Sequence, residues 1–104
     1  MTTVFELPII ENDPLEATIE RGACKYAEKR GWWQRKFTSP GHRGVPDRIF
    51  GRGKTVFWIE FKRKDEPLRP QQEIEIKKMR DAGLTVYVCD NLADAKRVIN
   101  VESM

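Results

Sequence analysis

Cysteine and histidine are scarce in this sequence of 104 residues, which contains two cysteines and one histidine. Cys24 and Cys89 lie far apart in the chain and form no close-spaced pair. One histidine and no clustered cysteines therefore exclude a classical zinc site. Free cysteines are among the residues most often buried. We expect both to be reduced core residues.

Long apolar runs are also missing. No segment approaches the roughly 20 apolar residues that a transmembrane helix needs. The N-terminus lacks the basic-then-apolar layout of a secretory signal, which predicts a cytoplasmic location. Hydrophobic residues make up 39% and charged residues 34% of the chain, which is typical of one small globular domain. Residues 1–12 have no clear periodicity and are expected to form an N-terminal arm.

Acidic residues are nearly absent from the middle of the chain. Residues 29–64 contain 11 basic and two acidic residues, a net charge of +9, whereas the whole chain carries +3. The net charge is −4 over residues 1–28 and −2 over residues 65–104. A basic stretch of this kind indicates affinity for phosphates. Its two acids, Asp47 and Glu60, are therefore candidate functional residues.

Hydrophobic periodicity and turn residues predict the element order α-β-β-β-α-β-α. Asp13 and Pro14 are good residues for the N-cap and the first position of the first helix. The expected helices span residues 14–30, 71–82 and 92–99, and the expected strands span residues 32–37, 48–50, 55–62 and 84–89. Three strands suit an antiparallel meander, and the fourth, reached through a helix, suits parallel pairing. The sequence thus predicts an α/β fold with a mixed sheet.

A predicted hairpin brings the two isolated acids together. Residues 51–54 (Gly-Arg-Gly-Lys) predict the turn between the second and third strands. We therefore expect Asp47 near Glu60, with Lys62 on the same strand face as Glu60. Two close carboxylates repel each other unless a cation lies between them, and their oxygens favour Mg²⁺ or Mn²⁺ over zinc. Such a site performs metal-assisted phosphodiester hydrolysis.

A solvated surface is the simpler interpretation of the same residues. Glu60 and Lys62 on an outward strand face could form an exposed ion pair worth about 0–1 kcal/mol. A Pro-Asp pair is also common at turns. From these residues alone, both interpretations stay open.

Four ordered blocks of sequence resemble a known nuclease family. Residues 44–47 (Gly-Val-Pro-Asp) and 59–62 (Ile-Glu-Phe-Lys) resemble the PD-(D/E)xK nuclease signature. Its VRR-NUC branch, the virus-type replication–repair nucleases, also resembles this chain in its first-helix glutamates. Further shared blocks are residues 36–47, Lys-Phe-Thr-Ser-Pro-Gly-His-Arg-Gly-Val-Pro-Asp, and residues 68–72, Leu-Arg-Pro-Gln-Gln. The resemblance covers about residues 14–90.

The resemblance implies a restriction-endonuclease-like α-β-β-β-α-β core with a central mixed sheet flanked by helices. A single nuclease domain would span residues 13–104, in a stand-alone phage-like form. The implied activity is that of an endodeoxyribonuclease that requires Mg²⁺, for which Mn²⁺ would substitute.

The same resemblance assigns roles to individual residues. Asp47 and Glu60 would be metal ligands, with the backbone carbonyl of Phe61 as a further ligand, and Lys62 would be the catalytic lysine. Gln72 matches the family's glutamine, whose amide would orient a water or a side chain in the active site. A surface glutamine without a role is the alternative for Gln72.

The acid contributed by the first helix is ambiguous. Glu16 and Glu20 are four residues apart and share a helix face. Glu20 lies eleven residues before Gly31, a spacing similar to that of archaeal-type junction resolvases, and is the preferred ligand. Glu16 is the alternative, since it could instead complement the helix dipole.

Basic and polar residues around the two acids are expected to contact DNA phosphates. The candidates are Arg35, Lys36, Ser39, His42, Arg43, Arg48, Arg63, Lys64 and Arg69, with Arg52 and Lys54 as further cations. A solvated charge run is the alternative. His42 is expected to bind phosphate rather than to act as a general base.

Substrate shape is the expected source of selectivity, because no motif for reading bases is present. The resemblance implies a homodimer that cuts branched DNA, above all four-way (Holliday) junctions, in the cytoplasm of a phage-infected or bacterial cell. A flap- or restriction-like nuclease and a non-catalytic DNA-binding module are the alternatives. Trp32, Trp33 and Trp58 are expected either in the core or at a two-fold interface.

Overall fold

Three helices and four strands make up the structure, a computed structural model that describes residues 15–104. The predicted arm over residues 1–12 and the predicted helix start at Asp13 and Pro14 lie outside the described residues. The elements are α1 (Glu16–Glu28), β1 (Trp33–Lys36), β2 (Arg48–Arg52), β3 (Thr55–Phe61), α2 (Pro70–Asp81), β4 (Val86–Cys89) and α3 (Leu92–Glu102). Among residues 15–104, no helix is long and apolar enough to cross a membrane.

The strands form one mixed sheet in the order β1-β2-β3-β4. The first three are antiparallel and β4 runs parallel to β3, which confirms the predicted topology. The hairpin turn is tighter than expected, because β2 continues to Arg52, which pairs with Thr55. Only Gly53 and Lys54 make the turn, and Gly53 adopts the left-handed conformation (φ 61°) that a turn of two residues requires.

Apolar clusters cover both faces of the sheet. On one face, Phe57, Ile59 and Phe61 of β3 pack in the main core with buried residues of α1 and α3. On the other face, Trp58 packs with Ile76 of α2 in a smaller cluster. The predicted alternation along β3 is confirmed. At Trp58 and Glu60 the second face is buried rather than solvated, because α2 lies over this part of the sheet.

The ends of several elements differ from the prediction. The first helix begins at Glu16, with Leu15 as its N-cap, and α3 continues three residues beyond the expected end at Ile99. Trp32 is in the core rather than in the first strand, and its Nε1 donates to Ser103 Oγ at 2.9 Å. That bond ties the end of α3 to the turn before β1. Both cysteines are free and buried, as expected.

The loop before β2 packs tightly on the first turn of α2 at Gly44. Its φ of 85° is favourable only for glycine, and an added Cβ would lie 2.3 Å from the carbonyl oxygen of Gln71. Pro46, two residues later, is fully buried. The contact therefore fixes the position of the loop that carries Asp47.

Substitution of Gly44 by alanine is expected to destabilise the fold through a backbone clash. Gly41→Ala is the matched control, because Gly41 also has a positive φ (81°) but has no atom within 4 Å of the added Cβ. Left-handed backbone alone costs about 1–2 kcal/mol, and overpacking adds about 1–3 kcal/mol. Urea denaturation should show a larger loss for G44A than for G41A. Equal losses would contradict the close contact.

Candidate functional site

Asp47 lies just before β2 and faces the end of β3. Arg48 pairs with Ile59 across the hairpin, so the residues next to them, Asp47 and Glu60, are neighbours. The backbone N–H of Phe61 donates to Asp47 Oδ2 at 2.8 Å. Burial raises the pKa of Asp47, and this hydrogen bond opposes the rise. The expected proximity of the two acids is thus present in the structure.

Glu60 is buried, with only 2% of its surface exposed. Its Oε2 accepts a hydrogen bond from Gln72 Nε2 at 2.9 Å, and its Oε1 has no hydrogen-bond partner among residues 15–104. Burial and, next, the charge of Asp47 raise the pKa of Glu60 to about 8. A cleft of about 680 Å³ is lined by both acids. Glu60 therefore supplies an unsatisfied acceptor beside a second carboxylate.

Gln72, in the first turn of α2, links Glu60 to Lys62. Its Oε1 accepts from Lys62 Nζ at 3.1 Å and from the backbone N–H of Arg69 at 2.8 Å. The ammonium and the N–H can only donate, so the amide oxygen must face them and the NH₂ must face Glu60. The alternative of a surface glutamine does not hold, since Gln72 is only 6% exposed.

Lys62 is 1% exposed and lies at the end of β3. Besides Gln72, its Nζ contacts Glu66 Oε2 at 3.7 Å. Glu66 is fixed in turn, because its Oε1 accepts from the N–H of Arg63 at 2.9 Å. A buried ammonium without such partners would carry a desolvation penalty of several kcal/mol. Sequence reasoning missed Glu66, whose only signal is its spacing of four residues from Lys62 in a loop.

The two acids of α1 point to different surroundings. Glu20 is 8% exposed and pairs with Arg48 Nε at 2.5 Å and Lys36 Nζ at 3.3 Å. Glu16, one turn earlier, hydrogen-bonds with Glu66, and burial and this contact raise the pKa of Glu16.

Glu16 and Glu20 of α1 interact electrostatically with the carboxylates of Asp47 and Glu60. The charge of Glu20 raises the pKa of Asp47, and that of Glu16 raises the pKa of Glu60. Within residues 15–104, no three His, Cys, Asp or Glu side chains form a group that could hold a metal ion by themselves. The carboxylates of Glu16 and Glu20 thus influence Asp47 and Glu60 electrostatically. Neither of them forms a group of three possible metal ligands with Asp47 and Glu60.

The expected DNA-contacting residues fall into three groups. Arg43 and Arg69 line the cleft with Asp47 and Glu60. Arg48 is engaged by Glu20 and by Gln34, whose Oε1 accepts from Arg48 Nη1 at 2.9 Å. The remaining candidates are largely exposed, except the half-buried Ser39: Arg35, Lys36, Ser39, His42, Arg63 and Lys64.

Other cations and the histidine have local partners. Arg52 donates to the carbonyl oxygens of Arg30 (2.8 Å) and Ser103 (2.7 Å), so it connects three segments of the fold. His42 Nδ1 lies 3.3 Å from the carbonyl oxygen of Pro40 and 3.4 Å from Ser39 Oγ, within an exposed turn. Neither Arg52 nor His42 lines the cleft that Asp47 and Glu60 line.

Replacing Glu60 by glutamine is expected to stabilise the metal-free protein at high pH. The folded pKa, about 8, lies above the ordinary value of 4.5. The wild-type protein therefore loses stability as pH rises between these values, whereas the amide does not titrate. The advantage of E60Q over wild type should exceed about 1.4 kcal/mol, the value of one pKa unit, at about pH 9 and shrink towards about pH 5.

Urea denaturation in EDTA at both pH values measures this difference. Glu73→Gln, on the exposed side of α2, is the control and should change stability by less than about 0.5 kcal/mol at either pH. An E60Q difference that does not vary with pH would contradict the buried, ionisable Glu60.

Comparison with known proteins identifies the family. No protein-family model matches the chain. "Putative nuclease p44" of Acyrthosiphon pisum secondary endosymbiont phage 1 is 37% identical over 78 residues, which cover 73% of this chain and 83% of that protein. A solved structure described as a VRR_NUC domain superposes with a TM-score of 0.76 at 23% identity, covering 82% of this chain and 94% of that one. Together with the ordered sequence blocks and the α/β fold, these similarities show that the chain belongs to the VRR-NUC family of PD-(D/E)xK nucleases.

Proposed function

We propose that this VRR-NUC nuclease is a metal-dependent endonuclease that hydrolyses phosphodiester bonds of branched DNA. The observation that carries the proposal is that Oε1 of the buried Glu60 has no hydrogen-bond partner within residues 15–104 and lies beside Asp47 in an open cleft. A buried carboxylate oxygen without a donor is unfavourable unless a ligand satisfies it. A cation between the two carboxylates supplies that ligand.

Mg²⁺ is the ion that best fits these donors, and Mn²⁺ is its natural substitute. Asp47 Oδ, Glu60 Oε1 and the backbone carbonyl of Phe61 would hold it. Mg²⁺ is commonly bound by one or two carboxylates, with waters and substrate phosphates completing its shell, so a cage of three protein carboxylates is not required. When bound, the ion supplies Lewis acidity towards a phosphate oxygen and the attacking water. Glu20 remains the proposed third acid, with Glu16 as the alternative: Glu20 pairs with Lys36 and Arg48, whereas Glu16 hydrogen-bonds with Glu66 and interacts electrostatically with Lys62.

Lys62 is proposed to interact with the charged phosphate or the attacking water, and Gln72 to position Glu60 and Lys62. The ammonium of Lys62, held at the end of β3, donates to the phosphate or to the attacking water. Gln72 binds Glu60 and Lys62 at once, so it keeps the carboxylate and the ammonium at a constant separation. Its role is therefore to position the two groups.

Arg43 and Arg69, which line the cleft, are proposed to bind the phosphates that flank the scissile one. The exposed cations of the basic stretch, residues 29–64, would extend this phosphate-binding surface along the DNA strand. Phosphate contacts carry no sequence information, which supports recognition by DNA shape. One site per chain cuts one strand, so a homodimer acting on a four-way junction would make the paired incisions. A flap- or restriction-like preference, or binding without cleavage, would appear as a different outcome of the same assay.

Asp47→Asn should abolish cleavage while retaining DNA binding. The assay uses labelled four-way junctions and linear duplexes with Mg²⁺, and binding is measured in EDTA. We expect a loss of at least about 100-fold for D47N and a smaller loss, about 10–100-fold, for the positioning variant Q72A. Asp81→Asn, in an exposed ion pair of α2, is the control and should cleave normally.

Three results would oppose parts of this proposal. If wild type binds DNA but never cuts it, the chain is a binding module. If linear duplex is cut as fast as the junction, recognition does not depend on branching. If sedimentation gives a monomer at working concentration, paired incision by a homodimer fails.

Mg²⁺ should stabilise the protein in the absence of DNA. A ligand that binds only the folded state raises Tm, and for a chain of this size one kcal/mol of binding corresponds to about 4–8 °C. Thermal denaturation should show a rise with MgCl₂ for wild type, no rise for E60Q, and no rise for either protein in NaCl of equal ionic strength. Equal rises in both proteins would place the cation elsewhere.

A further inference from the structure

Trp33 lies on the same face of the sheet as the two acids. It pairs with Gly51, and Gly51 pairs with Val56, so these three residues form one row across the sheet. Residues two apart on a strand share a face, so Val56 lies on the face of Trp58 and Glu60. Trp33 is therefore on the side of the sheet that carries the cleft, beyond the part that α2 covers.

The indole of Trp33 is half exposed and lies over Gly51, which has no side chain. Trp33 Cε3 is 3.7 Å from the position that a Cβ of Gly51 would take, and 49% of Trp33 is accessible. The guanidinium carbon of Arg35 lies 5.1 Å from the ring centroid. Its exposure distinguishes Trp33 from Trp32 and Trp58, which are both buried, although Trp32 also has a guanidinium, that of Arg52, 5.1 Å from its ring centroid.

The separation of Trp33 from the cleft suits a DNA strand. The N–H of Phe37 donates to the carbonyl oxygen of Asp47 at 2.8 Å, so Phe37 marks the level of Asp47 on the first strand. Trp33 precedes Phe37 by four residues, or about 13 Å at 3.3 Å per residue. A stacked strand rises 3.4 Å per nucleotide, so this distance corresponds to about four nucleotides.

We propose that Trp33, flanked by Arg35, is a stacking site for an unpaired base of the strand whose phosphate lies at Asp47 and Glu60. The inference rests on the proposed nuclease function and specifies how the site selects its substrate. Exposed aromatic rings bind unpaired bases by stacking, and arginine adds a cation–π contribution. Bases inside an intact duplex are already stacked, so the site favours DNA with unpaired or splayed bases over a blunt duplex.

Trp33 also covers Gly51, and the test must separate that structural role from base stacking. Trp33→Leu keeps an apolar cover over the glycine but has no π-system, whereas Trp33→Tyr keeps a stacking ring. Val101→Ala, an equally exposed apolar site on α3, is the matched control. Binding is measured in EDTA with a single-stranded oligodeoxythymidylate, a splayed fork and a blunt duplex.

The expected result is that W33L weakens binding to the single strand and the fork about fivefold or more, and to the duplex by less than twofold. W33Y should restore most of the difference, and the tryptophan fluorescence of wild type, but not of W33L, should be quenched by the single strand. Equal effects of W33L on all three DNAs, or none, would overturn the inference. So would a change in the sedimentation of W33L from dimer to monomer without selective weakening, which would assign Trp33 to contacts between copies.

Failure of the nuclease function would be seen separately. Wild-type protein that never cuts DNA with Mg²⁺ contradicts the proposed function, whereas binding in EDTA does not depend on cleavage. Cleavage by wild type with no selective binding loss in W33L contradicts the stacking site alone.

Discussion

The contact of Gln72 with Glu60 and Lys62 is the constraint on which the site depends. A carboxylate and an ammonium are both almost fully buried at the end of β3, and each needs a polar partner there. One amide serves both, through its NH₂ and its oxygen. Because Gln72 is in the first turn of α2, that helix must begin directly over β3. The loop at Gly44 then packs against the same turn and brings Asp47 to Glu60.

The two faces of the sheet differ in function: one packs in the main apolar core, and the other carries the candidate site. Phe57, Ile59 and Phe61 fill the core against α1 and α3, so this face supplies the apolar burial. The opposite face carries Glu60 and Lys62, which lie beneath α2, and burial raises the pKa of Glu60. Glu20 reaches the edge of this arrangement but is balanced by Arg48 and Lys36. Apolar burial on one face thus supplies stability, and the other face holds the carboxylates of Asp47 and Glu60, which repel each other at close range.

Much of the fold and half of the candidate site follow from local sequence. The alternation along β3 and the Gly53 turn predict the hairpin, and the hairpin alone predicts that Asp47 and Glu60 meet. The distinction between Glu16 and Glu20 could not be predicted, because it depends on which cations the sheet places opposite each turn of α1. Glu66 was missed for a similar reason: its partner Lys62 is buried only once α2 has packed on the sheet. Arg48 and Arg52 are indistinguishable from other surface cations until tertiary contacts occupy them.

Asp47, Glu60, Lys62 and Gln72 all fall within 26 consecutive residues of the chain. Bringing them together closes only short loops, and the entropy lost on loop closure grows slowly with length. The proposed chemistry is thus carried by one contiguous segment, residues 47–72, while α1 and α3, which precede and follow it in the chain, pack in the main core. A change of length in a turn outside residues 47–72 alters none of the loops that join these four residues. An insertion between Lys62 and Gln72 would instead displace the helix start that joins the carboxylate to the ammonium.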